Sequence, residues 1–341
     1  MSLDLNRKKV VKNAWRITKE RDKGAIRIRV PGGQMETKHF AVLNQIATEY
    51  GDGTVHMTTR QGFELPGIDF ENMEAVNRML RPIIENLEIS IGVSGFDKPK
   101  DGYPTAGTRN VAACIGNRVC PYSNFDTTAF ARRIEKEIYP NNFHVKIALT
   151  GCPNDCIKAR MHDFGIIGMA EPQLDSSRCI GCEACVITCK KLVTGALKLH
   201  KGKVVRDERR CIGCGECVLS CPTAAWTRNP KKFFNLVIMG RTGKKNPRLA
   251  ENFIQWASEE LVVQVIKNTY GYIDKFIDRS LTKEHIGYIV DRTGFHDFKE
   301  FVLKGASINP EARIAQHVHW SGTFYVSDVF IGAPQGDQIS R

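Results

Sequence analysis

The chain has 341 residues, of which 42% are hydrophobic, and its formal net charge is +12. This length is sufficient for about two domains, and the composition excludes a disordered chain. The lysines and arginines occur in short runs rather than in a basic stripe interleaved with aromatic residues, so the sequence predicts no nucleic-acid partner.

The sequence contains no pattern typical of secretion or membrane insertion. Residues 1–12 are polar and charged, and the most apolar run, residues 233–239, is interrupted by Asn235. That run is also far shorter than a membrane-spanning helix. We therefore expect a cytoplasmic protein without a membrane span.

In chain order, the predicted elements alternate between strands and helices. Residues 25–30 alternate apolar and arginine side chains and predict a strand, and a Pro-Gly-Gly turn follows. Residues 40–50 and 73–86 have helical periodicity, and residues 54–59, 144–149 and 233–240 are typical of strands. Residues 247–277 predict long helices. This alternation indicates an α+β fold.

All twelve cysteines lie between Cys114 and Cys221. Their spacings of two or three residues within short segments favour metal binding over disulfides, which would close longer loops. The cysteines separate into a repeated motif and a set of four others.

The motif C-I-G-C-x-x-C-x-x-x-C begins at Cys179 and again at Cys211. Three thiolates spaced in this way bind one face of a [4Fe–4S] cluster, and the fourth reaches the other cluster. We therefore predict two clusters. One is bound by Cys179, Cys182, Cys185 and Cys221, and the other by Cys189, Cys211, Cys214 and Cys217. The arrangement resembles bacterial two-cluster ferredoxins, and two Cys₄ zinc sites are the alternative.

The remaining cysteines form a C-x₅-C and a C-x₃-C pair: Cys114, Cys120, Cys152 and Cys156. On spacing alone this is a Cys₄ site that suits either zinc or an iron–sulfur cluster. The two possibilities stay open at this point.

The residues around these cysteines resemble segments of the sulfite and nitrite reductase family. The matching segments are Val30-Pro31-Gly32-Gly33, Thr58-Thr59-Arg60-Gln61, Thr108-Arg109-Asn110, the C-x₅-C, and Lys146-Ile147 leading into Thr150 to Cys156. Residues 240–247 also look like a loop of that family. With a ferredoxin-like segment in so short a chain, the sequence is most similar to the anaerobic, NADH-linked sulfite reductases.

This resemblance implies the cofactors and the roles of particular residues. Cys114, Cys120, Cys152 and Cys156 would bind a third [4Fe–4S] cluster, and the Cys156 thiolate would bridge it to a sirohaem iron. Arg60, Arg109 and Lys146 match the family's cationic residues beside the substrate. His144, which replaces a lysine of the family pattern, is either a proton donor or a packing residue. The expected sirohaem contacts are Thr58, Thr59, Gln61, Asn110, Arg241 and Lys244.

The resemblance also implies the domain organisation. A ferredoxin-like half-domain would span residues 1–92. The sirohaem and [4Fe–4S] domain would comprise residues 93–172 and 230–341. A two-cluster ferredoxin domain at residues 173–229 would be inserted into it.

The predicted function is the six-electron reduction of sulfite to sulfide. Nitrite reduction to ammonia and a non-catalytic polyferredoxin are the alternatives. The sequence lacks a G-x-G-x-x-G fingerprint after a strand, so we expect electrons to come from partner subunits. The resemblance implies a flavin/NADH subunit and an iron–sulfur subunit, which would dock near residues 175–228.

Overall fold

The computed structural model describes residues 11, 13–87, 102–103, 110–139, 141, 143–243, 247–281 and 283–318, which form a mixed α+β fold. The strands are β1 (Trp15–Ile17), β2 (Lys23–Ile28), β3 (His56–Met57), β4 (Phe63–Asp69), β5 (Ala112–Ala113), β6 (Ile147–Thr150), β7 (Phe164–Met169), β8 (Pro172–Leu174), β9 (Leu197–His200), β10 (Lys203–Arg206), β11 (Trp226–Arg228), β12 (Phe233–Ile238), β13 (Glu251–Ala257) and β14 (Arg313–Ile314). The helices are α1 (His39–Glu49), α2 (Met73–Leu87), α3 (Thr127–Ile138), α4 (Ala184–Leu192), α5 (Glu216–Leu219), α6 (Glu259–Phe276), α7 (Ile286–Thr293) and α8 (Phe295–Leu303).

The N-terminal sheet is antiparallel, with strand order β1-β2-β4-β3. Helices α1 and α2 contribute Leu43 and Leu80 to a core shared with Trp15, Ile26 and Leu65. Both helices lie close to their predicted positions, because their apolar residues recur with helical period. The predicted strand over residues 54–59 is shorter in the structure, which has only β3 there.

The larger sheet has six strands in the order β14-β13-β12-β7-β6-β5, and β5, β6 and β7 are parallel. Every residue of the central strands β7 and β12 is buried. Ile134, Val262, Ile289 and Phe298, one residue from each of α3, α6, α7 and α8, belong to the main hydrophobic core. Strand β6 pairs with β7 along its whole length and with β5 through Ala148 and Leu149.

The prediction of helix throughout residues 247–277 is wrong for its first part. Residues 251–257 form β13, and the helix begins only after Ser258, whose side chain caps it by accepting the Leu261 N–H at 3.2 Å. Two register shifts occur in the pairing of β12 with β13, and Trp256 has a φ of 58°. These bulges break the alternation of buried residues and produce the spacing Phe253, Ile254, Trp256 and Ala257, which imitates a helix.

Residues 170–232 connect two strands that are direct neighbours, since Met169 pairs with Phe233. Strands β8 and β11 pair near the start and the end of this segment. Between them, β9, β10, α4 and α5 surround a small core that includes Cys185, Cys189 and Cys217. The segment therefore has its own core.

Within the described ranges, we find no helix with the length and apolar character needed to cross a membrane.

Candidate functional site

A tight turn presents Arg60 and Gln61 between β3 and β4. The Thr58 hydroxyl accepts the Gly62 N–H at 3.0 Å, and the Thr58 carbonyl accepts the Gln61 N–H at 3.0 Å. Gln61 has a φ of 62°, which points its side chain out of the turn. The turn includes the predicted contacts Thr58 and Thr59.

The Gln61 amide connects the two sheets. Its Nε2 donates to the Ala113 carbonyl at 2.7 Å, and its Oε1 accepts the Ala113 N–H at 2.8 Å. Ala113 is the last residue of β5 and precedes Cys114. In this structure Gln61, predicted to contact sirohaem, uses its side chain to hold β5.

Arg60 and Asn110 hold each other in place. The Arg60 guanidinium donates to the Asn110 carbonyl, and Asn110 Nδ2 donates to the carbonyls of Arg60 at 2.8 Å and Val30 at 2.9 Å. Asn110 Oδ1 is buried and accepts no hydrogen bond from the described residues. An unsatisfied buried acceptor of this kind is a position where a bound group or water can donate.

The positive charges of Arg60 and Lys146 both lower the pKa of one neighbouring residue, His162. Burial lowers the pKa of His162, and the positive charges of Arg60 and then Lys146 lower it further. The predicted substrate residues Arg60 and Lys146 therefore belong to one electrostatic neighbourhood. Sequence analysis missed His162, although it follows Cys156 by only six positions.

His144 lies two residues before Lys146 and contacts a histidine that is distant in sequence. The ring centroids of His144 and His285 are 4.4 Å apart, and the rings are nearly perpendicular at 87°. The His285 ring is hydrogen bonded to Asp163. Sequence analysis could not find this arrangement, because Asp163 and His285 belong to no motif.

The four cysteines of the C-x₅-C and C-x₃-C pairs are neighbours. Burial raises the pKa of the Cys152 thiol, and the nearby Cys120, Cys156 and Cys114 thiols raise it further. Cys114 Sγ accepts the Gly151 N–H at 3.1 Å. The parallel pairing of β5 and β6 explains this proximity, since Cys114 and Gly151 follow the two strands.

The other eight cysteines line two cavities within residues 172–226. The distal cavity, about 290 Å³, is lined by Cys179, Cys182, Cys185 and Cys221. The proximal cavity, about 360 Å³, is lined by Cys189, Cys211, Cys214 and Cys217. These groupings are the two ligand sets expected from the crossed pattern of the motifs.

The described residues contain no three His, Cys, Asp or Glu side chains that converge on a position for a single metal ion. In the proximal cavity, burial raises the pKa of Cys214 to about 11 and that of Cys217 to about 12. Binding of iron by thiolates in this cavity would therefore release protons.

Hydrogen-bond donors face at least one sulfur of each cysteine group. Trp226 Nε1 donates to Cys185 Sγ at 3.4 Å beside the distal cavity, and Arg206 Nη1 lies 3.9 Å from Cys211 Sγ beside the proximal one. The third is the Gly151 N–H to Cys114. Such donors stabilise thiolate charge and adjust the reduction potential of a cluster.

Three predicted residues remain: Arg241 and Lys244, which were expected to bind sirohaem, and Arg109, which was expected to bind the substrate. Arg241 is 5% exposed, lies 3.6 Å over the Tyr288 ring and pairs with Asp291 at 3.4 Å. Arg109 and Lys244 lie outside the described residues.

Comparison with known proteins places this geometry in a family. Residues 105–309 match the nitrite and sulphite reductase 4Fe-4S domain, and residues 18–83 match the nitrite/sulfite reductase ferredoxin-like half domain. The chain belongs to the nitrite and sulphite reductase family. The resemblance predicted from the sequence is confirmed, and so is the α+β fold class.

Relatives within this family differ in similarity and coverage. One subunit of the anaerobic sulfite reductase of Salmonella typhimurium is 42% identical over 322 residues, which cover 94% of this chain and 96% of that protein. The chloroplastic ferredoxin–nitrite reductase of Zea mays is 28% identical over 145 residues, or 41% of this chain and 23% of that one.

Two solved structures share the fold. Dissimilatory sulfite reductase I superposes with a TM-score of 0.63 at 15% sequence identity and covers 93% of this chain and 76% of its own. The NirA protein of Mycobacterium tuberculosis has a TM-score of 0.53 at 16% identity, with 86% of this chain and 43% of NirA covered.

Proposed function

We propose that this reductase-family chain is the catalytic subunit of an anaerobic sulfite reductase and reduces sulfite to sulfide with six electrons. The observation that carries the proposal is the similarity to the anaerobic sulfite reductase of Salmonella typhimurium along almost the whole of both chains. The nitrite reductase relative is less similar and matches less than half of this chain. A non-catalytic polyferredoxin is disfavoured, because the two matched reductase domains cover most of the chain.

The donor sets fit three [4Fe–4S] clusters, since soft thiolates in groups of four are the usual cluster ligands. Cys114, Cys120, Cys152 and Cys156 would bind the cluster of the matched 4Fe-4S domain. The distal and proximal cavities would each bind one of the other two. Residues 173–229 would then act as a ferredoxin domain inserted into the sirohaem and [4Fe–4S] domain of residues 93–172 and 230–341, which follows a ferredoxin-like half-domain at residues 1–92.

Sirohaem, when bound beside Cys156, supplies the iron at which sulfite is reduced. The positive charges of Arg60 and Lys146 around His162 fit a group rich in carboxylates, whose oxygens accept hydrogen bonds. Thr58, Thr59, Gln61, Asn110, Arg241 and Lys244 remain proposed contacts.

Arg60 and Lys146, together with Arg109, would bind the sulfite dianion. Charged hydrogen bonds orient its oxygens and stabilise negative charge as the S–O bonds break. The Asn110 carbonyl keeps the Arg60 guanidinium in position, and the Asp163 carboxylate anchors the Lys146 backbone N–H at 2.9 Å. The Arg60 guanidinium and the Lys146 backbone are therefore held before the substrate arrives.

Hydrogen bonds connect the region of the proximal cavity to segments near the substrate site, whereas an exposed residue lies beside the distal cavity. In the loop that lines the proximal cavity, the Gly213 carbonyl accepts the Ala170 N–H at 2.8 Å, just beyond β7. Arg228 Nη2 donates to the carbonyl of Pro121, the residue after Cys120, at 2.8 Å. Beside the distal cavity, by contrast, Ile180 is 70% exposed.

We therefore expect an electron-donating partner to bind over the distal cavity. The proposed partners are a flavin/NADH subunit and an iron–sulfur subunit, which would supply the electrons. A cytoplasmic location remains a prediction of the sequence.

Metal and haem analysis of anaerobically purified protein tests the proposal. We expect about twelve cluster irons, a similar amount of acid-labile sulfide and one sirohaem iron per chain. Sulfite-dependent oxidation of a reduced dye must accompany them. Zinc with little labile sulfide would contradict the cluster assignment, and turnover of nitrite without sulfite would contradict the substrate.

Replacing Cys156 with Ser tests whether Cys156 is the cysteine that bridges the cluster to the sirohaem iron. Sulfite reduction should be abolished, while the distal and proximal clusters keep their spectra. Cys182→Ser is the matched control, because Cys182 is also exposed but lines the distal cavity. Full activity of Cys156→Ser would assign the bridge to another cysteine.

A further inference from the structure

A buried carboxylate joins Lys146, the residue before β6, to the start of helix α7. Asp163 is 1% exposed, and its Oδ2 accepts the Lys146 N–H at 2.9 Å. Its Oδ1 lies 2.9 Å from Nδ1 of His285, the residue that precedes α7. The Asp163 backbone carbonyl also accepts the Met239 N–H at 2.7 Å. The contacts with the Lys146 N–H and the His285 ring therefore hold the two oxygens of the Asp163 carboxylate.

This contact determines which nitrogen of His285 is available for proton exchange. With Nδ1 facing a carboxylate, its hydrogen is donated to Asp163, so Nε2 is the nitrogen that gains and loses a proton. The His285 side chain keeps 22% of its surface exposed. It therefore contacts both solvent and the perpendicular His144 ring, whose centroid is 4.4 Å from that of His285.

His144 is in turn on the same side of its extended segment as Lys146. Val145 between them is 3% exposed and belongs to the core, whereas His144 and Lys146 are half-buried. Alternation along an extended chain places residues two apart on one face. The order from solvent to the substrate cations is then His285, His144 and Lys146.

We propose that His285, oriented by Asp163, relays protons from solvent to His144, which donates them to sulfite oxygens. The inference rests on the proposed sulfite reduction. His285 is a positioning residue in this scheme, and Asp163 keeps its negative charge throughout.

The proton balance of the reaction shows why a relay is needed. Sulfite, six electrons and seven protons give HS⁻ and three waters, and the electrons come from the partner subunits. In each donation the imidazolium of His144 gives its proton to a substrate oxygen, which leaves as water after a second protonation. Neutral His144 then takes a proton from the His285 imidazolium, and His285 regains one from solvent.

The neighbouring groups cannot readily replace this route. Arg60 does not deprotonate in proteins, and Lys146 after one donation would itself need a proton source. The pKa of His162 is lowered by burial and by the positive charges of Arg60 and Lys146, so His162 is protonated less readily than an ordinary histidine. Tyr288, whose ring centroid is 6.5 Å from that of His285, and the partly buried Tyr270 are further titratable residues in this region.

The test uses the holoenzyme with His285→Gln, because glutamine can still donate to Asp163 but cannot relay a proton. We expect kcat for sulfite to fall at least tenfold while KM changes less than twofold. The Kd of sulfite, measured from the sirohaem absorbance without turnover, should be unchanged. Added imidazole should restore part of kcat in His285→Gly, and His144→Gln should show the same loss of kcat.

His296→Gln is the matched control, because His296 is 73% exposed and contacts only Asp297 and Glu300 among the ion pairs of the described residues. An unchanged kcat in His285→Gln would overturn the relay. A parallel loss of sirohaem or of sulfite binding would also overturn it, since that result indicates a structural role. If the unmodified holoenzyme itself fails to reduce sulfite, the proposed function is at fault instead.

Discussion

Gln61 and Ala113 form two hydrogen bonds, 2.7 and 2.8 Å long, that join the N-terminal sheet to the six-stranded sheet. Ala113 is 3% exposed, so water cannot replace the side-chain amide. The arrangement of Arg60 relative to Cys114 therefore depends on Gln61.

Replacing Gln61 with Leu should destabilise the protein by about 2–4 kcal/mol, because a buried N–H and a buried carbonyl lose their partners. Thermal unfolding followed by circular dichroism measures the effect. Gln45→Leu, on an exposed position of α1, should leave the midpoint almost unchanged. Equal midpoints for the two variants would argue against the Gln61 bridge.

A buried ion pair supports the same junction. Arg29 and Glu135 are 2% and 0% exposed and form a hydrogen-bonded pair, and Glu135 also accepts the Val111 N–H at 2.7 Å. Glu135→Ala should cost about 3–5 kcal/mol, because the Arg29 charge stays buried without its partner. The exposed pair of Arg81 and Glu85 provides the control, and Glu85→Ala should cost at most about 1 kcal/mol. Similar unfolding midpoints for Glu135→Ala and Glu85→Ala would contradict this assignment.

The sequence predicts best what is encoded by local spacing. The cysteine motifs indicated the two groups that line the cavities, because the ligand spacing follows cluster geometry. It predicts poorly what depends on distant partners. The residues of β13 predict a helix because the bulges of that strand imitate helical spacing, and no local signal indicates that the Gln61 amide bonds to Ala113. Asp163 and His285 meet only where the start of α7 approaches the start of β7, so no local signal identifies them.

The hydrogen bond from Trp226 to Cys185 should raise the potential of the distal cluster, because a donor to a thiolate favours the more negative reduced state. Trp226→Phe keeps the packing but removes the donor. We expect the potential to fall by on the order of tens of millivolts, measured by a redox titration monitored by electron paramagnetic resonance. Trp256→Phe is the control, since Trp256 packs on Phe233. A drop of the same size in both variants would show that the hydrogen bond has no specific effect.

Arg60→Ala should weaken sulfite turnover while the clusters remain intact. Loss of a charged hydrogen bond of about 1.5–3 kcal/mol corresponds to a decrease in kcat/KM of roughly 10- to 150-fold. Arg109→Ala should behave similarly, and Lys146→Ala should mainly lower kcat if Lys146 supplies protons. Arg78→Ala, which breaks only an exposed pair with Glu74, is the control. If the steady-state kinetics of Arg60→Ala and Arg109→Ala are both unchanged, the substrate binds elsewhere.

The last prediction concerns the separation of electron supply from the chemistry. The cavity cysteines lie within residues 172–226, which have a core of their own, whereas Arg60, Lys146 and Cys156 lie outside that segment. Cys214→Ser should therefore impair the proximal cluster and leave the substrate residues in place.

A small, strongly reducing dye should still drive sulfite reduction in Cys214→Ser, because it can reach the substrate site directly. Turnover driven by NADH through the partner subunits should collapse. Sirohaem absorbance is the control for folding, since cluster ligands also hold this small segment together. Equal losses with both electron donors, at unchanged sirohaem content, would mean that residues 172–226 serve the structure of the site rather than its supply of electrons.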